Sequence, residues 1–139
     1  MVTASAAEQI AILVTELGKR FAGYFEAQAA SLDLTGPQAA VIAYLDRPMP
    51  MKQVANMLHC DASNVTGLVD RLESRGLVER RVRRDDRRIK ELVLTAEGRR
   101  VHRKVAAIVQ SPSGLALSNS EQKHLIELLS KAVTALPPT

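Results

Sequence analysis

The chain opens on a run of apolar positions with a helical period. Ile10, Leu13, Val14, Leu17, Phe21, Tyr24 and Phe25 recur three and four residues apart, which predicts one long helix over roughly residues 6–30. A stripe of that length needs a partner to cover it. Leu32-Asp33-Leu34 then leads to a second helix opened by Thr35-Gly36-Pro37-Gln38, a capping box with Pro in the first turn, whose Val41, Ile42 and Leu45 face the core. Pro48 and Pro50 stop that helix, and a short third one follows through Val54, Ala55 and Leu58. Asp61 is a good N-cap for a fourth helix over 62–75, with Val65, Leu68, Val69 and Leu72 inward and Gly76 as its left-handed stop.

After Gly76 the period changes to two. Leu77 to Val82 reads as a strand, residues 83–88 as a polar turn, and Ile89 to Leu94 as a second strand, giving a hairpin rich in arginine. Thr95 caps a fifth helix over 96–110, in which Val101, Val105, Ile108 and Val109 form the apolar side and Arg99, Arg100, Arg103 and Lys104 stay solvated. Ser111-Pro112-Ser113-Gly114 breaks it, and Ser118-Asn119-Ser120-Glu121 is a capping box for a last helix carrying Leu125, Leu128, Leu129 and Leu136. The fold class expected is mainly α with a small β-hairpin wing.

Composition narrows what such a fold can do. At 139 residues, 46% of them hydrophobic and 24% charged, the chain suits one domain with a real core and leaves no room for a multidomain enzyme. Aromatics at 3%, with no Trp, argue against a platform for stacking single-stranded bases. The net charge of +4 matters less than its location, because Arg80, Arg81, Arg83, Arg84, Arg87, Arg88 and Lys90 crowd one hairpin, and a polyanion is the natural partner for such a run. One cysteine, Cys60, excludes an internal disulfide framework and suits a reducing cytosol; an unreactive, partly buried thiol is expected there. His59, His102 and His124 form no ligand pattern, so no metal and no cofactor are expected. No basic leader precedes the first apolar stretch, which Glu8, Gln9 and Glu16 interrupt, so a cytoplasmic chain without signal peptide or membrane span is expected. No catalytic residues are expected either, since there is no activated nucleophile, carboxylate pair or phosphate-binding glycine loop.

The chemistry gathers around the third and fourth helices, joined by a tight turn at His59 to Asp61. On the fourth, Ser63, Asn64, Thr66 and Gly67 lie opposite the leucines, as a helix approaching base edges requires, while Arg71 either reaches a phosphate or pairs with an acidic neighbour. Small polar residues also favour first helical turns for backbone reasons alone. The hairpin that follows offers Arg83, Arg84, Arg87 and Arg88 to an adjacent minor groove, whose negative potential favours guanidinium. Strand alternation sends Arg80 and Arg81 to opposite faces, and one of them is open to pairing with Glu79 or Asp70. Together these elements predict a winged helix-turn-helix.

The run LHCDASNVTGLVDRLESRGLVERRVRRDDRRIKELVLTAEG resembles the MarR (multiple antibiotic resistance regulator) family in its recognition helix, Gly-Leu-Val-Glu-Arg, Asp-x-Arg wing and Leu-Thr-x-x-Gly, in that order. The long first helix, LTGPQAAVIAYL and LSNSEQKHLIELLSKAV extend the resemblance over nearly the whole chain. It implies N- and C-terminal dimerisation helices (1–31 and 111–139), a winged helix-turn-helix lobe (32–95) and a connecting helix (96–110) within one domain over 1–139. It further implies that Asp86 orients Arg88 for minor-groove entry, and that a homodimer binds a pseudopalindromic double-stranded operator as a repressor released by a small effector. Phe21, Tyr24 and Phe25 are the best candidates for an effector-pocket wall suited to a small aromatic or organic anion. In the hydroperoxide-sensing branch the reactive cysteine lies in the first helix, where this chain has none. Two departures stand out: Met49-Pro50-Met51 where the third helix usually opens on Ser or Thr, and His59-Cys60 where the turn often carries Gly. Two rival readings keep the fold: a winged helix that binds protein, and a ligand-independent architectural DNA-binding protein.

Overall fold

Short polar side chains start most of the helices by taking up free N–H groups of the first turn. The structure, a computed structural model, describes residues 3–110 and 113–138. In it Ser5 and Thr35 form complete capping boxes with Glu8 and Gln38 at the head of α1 (Ala6–Ala30) and α2 (Gly36–Tyr44). The two-residue strand β1 (Met49–Pro50) runs directly into α3 (Met51–Leu58), whose N-cap, Pro50, makes no side-chain bond. Asp61 caps α4 (Ala62–Ser74), accepting the Asn64 N–H at 2.9 Å. Strands β2 (Val78–Val82) and β3 (Lys90–Leu94) form the hairpin, and α5 (Ala96–Gln110) follows. The last helix is α6 (Asn119–Ala135). The chain divides into two compact units, Met1–Ile108 and Val109–Thr139.

In the first unit the core is aliphatic. Val41, Ile42, Val54, Val65, Val69, Leu72, Val78, Leu92 and Val105 are fully buried, with Phe25 of α1 packed against them. Most of α1 takes no part: Ile10, Leu13, Val14 and Leu17 stay exposed. Its C-terminal end is tied down by Glu26, whose carboxylate accepts the Gly36 N–H at 2.9 Å where the N-terminal dipole of α2 favours negative charge. Arg75, just past α4, donates to the carbonyl oxygens of Asp33 and Leu32 and so fixes the α1–α2 connection to the end of the helix-turn-helix.

The sheet is three-stranded and antiparallel in the order β1-β3-β2, with Met49 opposite Leu92 and Arg80 opposite Leu92 on its other side. β1 was not expected from the sequence, since two prolines in three residues read as a break; a proline is tolerated there because the strand lies at the sheet edge. The hairpin starts one residue later than the pattern suggests on each side. Leu77 N–H is spent on the Leu72 carbonyl (3.1 Å), closing α4 through Gly76 at φ +70°, and Ile89 N–H turns back to Asp86 (3.1 Å). Correspondingly α4 ends at Ser74 with Arg75 as its cap, and Leu68 is only half-buried.

The Leu-Thr-x-x-Gly stretch has a structural explanation. Thr95 Oγ1 accepts the Gly98 N–H (3.0 Å) as the cap of α5 and donates to the Gly76 carbonyl (2.6 Å), while Thr95 N–H donates to the Leu77 carbonyl (3.1 Å). A Cβ at Gly98 would collide with that same Leu77 oxygen. The Thr and Gly therefore dock α5 onto the corner where α4 turns into β2.

In the second unit Ser118 and Glu121 form the capping box of α6, after a single 3₁₀ turn at Ser113–Ala116. No residue of α6 is buried, and Ile126, Leu128, Val133 and Leu136 are all more than half exposed. Val109, expected on the inward side of α5, is exposed as well. The break expected at Ser111-Pro112 lies outside the described residues.

Candidate nucleic-acid interface

Helical spacing sorts the outer side chains of α4 into lanes. Ser63, Gly67 and Arg71, at i, i+4 and i+8, run along the side opposite Val65, Val69 and Leu72, and all three are exposed. Ser63 donates its hydroxyl to Asp61 Oδ1 (2.9 Å), so its hydrogen serves the helix terminus. Those bonds from the Asn64 N–H and then the Ser63 hydroxyl hold the Asp61 carboxyl below the usual aspartate range. Asn64 is exposed, and among the described residues its side-chain amide has no protein partner. Gly67 has open space where a Cβ would stand. Arg71 is also exposed and forms no ion pair among the described residues.

A second lane, Thr66, Asp70 and Glu73, faces β2 and is occupied by Arg80. The Arg80 guanidinium reaches Asp70 Oδ1 (2.6 Å), Glu73 Oε1 (3.1 Å) and the Thr66 carbonyl (3.3 Å), while Glu73 Oε2 accepts the Arg80 backbone N–H (3.1 Å). The side chain is only 23% exposed. The pairing with Asp70 that the sequence left open is realised by Arg80; Arg81 points to the other face and comes no nearer than 3.9 Å to Glu91. Thr66 itself donates to the Ala62 carbonyl (2.9 Å), which places it beside the wing and leaves its oxygen free only as an acceptor.

At the tip of the hairpin the arginines behave differently from one another. Asp86 Oδ1 accepts both the Arg88 N–H and Nε (3.1 Å each), and Oδ2 accepts Nη2 (3.2 Å). The side-chain bond, the backbone bond and the nearby Arg83 charge hold the Asp86 carboxyl below its ordinary range. Arg88 is nonetheless 91% exposed, so the carboxylate aims the guanidinium outward rather than burying it. Arg83 is similarly paired with Asp85 (2.9 Å). Arg84 and Arg87 are exposed and unpaired among the described residues.

The turn between α3 and α4 uses His59 in the left-handed region (φ 51°), the conformation that glycine usually supplies. Cys60, half-buried, donates to the Leu58 carbonyl (3.3 Å). The three aromatic residues of α1 are not drawn together: Phe25 joins the core, Tyr24 is half-buried and Phe21 is exposed. A cleft of about 620 Å³ on the outer face of the sheet includes none of them. Among the described residues no three His, Cys, Asp or Glu side chains cluster as metal ligands, and no helix is long and apolar enough to cross a membrane.

A family model described as the MarR family matches residues 37–90, which take in the helix-turn-helix and the hairpin arginines. The sequence is 35% identical over 74 residues to an uncharacterized HTH-type transcriptional regulator, YfiV of Bacillus subtilis; the match takes in 52% of this chain and 46% of YfiV, so the chain spans about half the length of that relative. A probable transcriptional regulator from Pseudomonas aeruginosa superposes with a TM-score of 0.70 at 29% identity, covering 92% of this chain and 99% of that one. Bordetella bronchiseptica BpsR, whose DNA binding is regulated by 6-hydroxynicotinic acid, gives a TM-score of 0.73 at 25% identity over 97% of this chain and 100% of its own. Over residues 37–90, which hold α4 and the Asp86–Arg88 pair, the chain is similar to the MarR family, and these solved regulators share its fold.

Proposed function

We propose that the protein is a sequence-specific double-stranded DNA-binding transcriptional regulator, acting as a homodimer and as a repressor released by a small-molecule effector. The observation that carries this reading is the joint presentation of an uncommitted polar helix face and an outward-aimed Arg88. Among the described residues the Asn64 and Arg71 side chains of α4 have no protein partners and Gly67 leaves open space between them, so that face is prepared for base edges and phosphates. Asp86 prepares Arg88 for a minor groove, with Arg84 and Arg87 free to neutralise phosphate. Arg83 is partly compensated by Asp85 and contributes less. The effector half of the proposal draws on BpsR, with Phe21 and Tyr24 as candidate wall residues and Phe25 better explained as core.

Domain roles follow the same reading: 1–31 and 111–139 pair with a second copy, 32–95 reads DNA, and 96–110 connects them. Two copies related by a two-fold axis would place their recognition helices in major grooves about 34–36 Å apart, which asks for a pseudopalindromic site. The test is selection of bound fragments from a random duplex library. Enrichment of an inverted repeat with half-sites one helical turn apart is expected; recovery of unenriched sequence would contradict specific reading and favour the architectural alternative, and no recovery would favour a protein-binding winged helix.

A further inference from the structure

Behind the wing, on the face of the sheet turned away from α4, lies the cleft of about 620 Å³. Strand alternation builds its wall, for Glu79 and Arg81 point there while Val78 and Arg80 point to the core and α4. Arg47 enters from the α2–β1 connection, and Arg99, His102 and Arg103 from α5. The floor is apolar, with Leu45 and Val93 buried. From these placements we infer that the cleft is a binding site for a compact organic polyanion, a small molecule carrying two or more adjacent carboxylate or phosphate groups, separate from the DNA-reading surface.

Three features support that ligand class. Arg99 and Arg103 sit at i and i+4 with His102 beside them on one face of one helix, and the two like-charged arginines cost the isolated helix stability that a bound anion offsets. Arg103 has no hydrogen-bond or ion-pair partner among the described residues, and Arg99 spends one N–H on the Leu94 carbonyl (3.3 Å), which fixes its position and leaves its other donors open. Arg47 and Arg81 have only loose carboxylate contacts, at 3.7 Å to Asp46 and 3.9 Å to Glu91. The four arginines thus outnumber the two acidic groups of the lining, Asp46 and Glu79, both exposed. Guanidinium forks converging from three elements suit closely spaced oxyanions better than one isolated charge.

The same helix provides the control. Arg100 is paired with Glu97 and lies outside the cleft, so its removal changes net charge by the same amount without touching the site. Calorimetric titration of the full chain at about 0.05 M salt, where screening is modest, would use inorganic pyrophosphate and citrate as probes and acetate as the single-charge control. Saturable binding of one polyanion per protomer is expected, with acetate at least about tenfold weaker. A preference for pyrophosphate over citrate would assign a phosphoanhydride-type ligand, and the reverse a polycarboxylate; either outcome supports the site. Arg103→Gln and Arg81→Gln should each weaken binding about tenfold, whereas Arg100→Gln and the wing-tip variant Arg84→Gln/Arg87→Gln should leave it unchanged. Melting curves of each variant check folding, and Arg103→Gln, which breaks no described bond, keeps the test sound if Arg81→Gln loosens the sheet. Absence of saturable binding, or equal losses for Arg100→Gln and Arg103→Gln, would overturn the inference. Because the titration contains no DNA, its failure leaves the proposed DNA reading untouched, and the converse also holds.

Discussion

Asp86 and Arg88 form an exposed pair whose worth lies in direction. A surface ion pair contributes about 0–1 kcal/mol to stability, so the three hydrogen bonds that Asp86 accepts from Arg88 are better understood as aiming a guanidinium that stays 91% exposed. Arg88→Ala and Asp86→Ala should each weaken binding to duplex DNA, and the double variant should be no weaker than Arg88→Ala alone, as read in a double-mutant cycle of affinities. Simple additivity would mean the two side chains act separately. The pH dependence has a definite sign. Asp86 has its folded pKa depressed, so its contribution is complete above the ordinary aspartate value and is lost only as pH falls through the lower folded one. Wing geometry should therefore be constant from about pH 5 upward. Gly67 gives a second prediction with opposite signs for folding and function. Open space at its Cβ makes Gly67→Ala a stabilising change of about 1 kcal/mol in a helix interior, yet the added methyl should reduce DNA affinity if the backbone approaches the bases closely. A melting curve and a binding isotherm on the same sample decide it; raised stability with unchanged affinity would remove Gly67 from the interface.

Between elements, the clamp from β2 to α4 sets the angle at which helix and wing are offered together. Replacing Arg80 by Met would leave Asp70 and Glu73 uncompensated on α4. DNA affinity should fall although Arg80 faces the protein, and the triple variant Arg80→Met/Asp70→Asn/Glu73→Gln should recover more than half of the lost binding free energy. No recovery would show that Arg80 itself touches DNA. This clamp also marks how far the sequence could be read. Helix starts were legible because capping is local, as at Thr35, Asp61 and Ser118, and α5 was bounded correctly over Ala96–Gln110 behind Thr95. β1 was not, because its partners Glu91 and Leu92 lie some forty residues away and only the folded sheet supplies them. The sequence left Arg80 and Arg81 on opposite faces without saying which was which, since that depends on how β2 docks on α4. His59 in a left-handed turn is equally unreadable from propensity, tertiary packing having overridden the preference for glycine. The basic cleft had a local trace in Arg99, His102 and Arg103, but its other basic walls come from two distant segments, Arg47 in the α2–β1 connection and Arg81 in β2.

For the molecule as a whole, the unpartnered apolar surface is the main feature to explain. Ile10, Leu13, Val14 and Leu17 of α1, and Ile126, Leu128 and Val133 of α6 with Leu136 just past it, are exposed within their own units. Exposed apolar stretches of this extent mark interaction sites, and a second copy of the chain is the occupant that a two-fold DNA site requires. Sedimentation equilibrium should give about twice the 15.2 kDa chain mass, and Leu13→Glu/Leu17→Glu should shift it to the monomer; a wild-type monomer at micromolar concentration would contradict this. The central claim, that α4 and the wing bind duplex DNA through bases and phosphates, is tested most directly by affinity for the selected site as a function of salt. If a dimer neutralises about six to ten phosphates, affinity should fall about 10³–10⁵-fold between about 50 and 200 mM salt, and Arg84→Ala/Arg87→Ala should flatten that slope by about one for each phosphate contact removed. An affinity that does not respond to salt, or a slope unchanged when both arginines are gone, would contradict it.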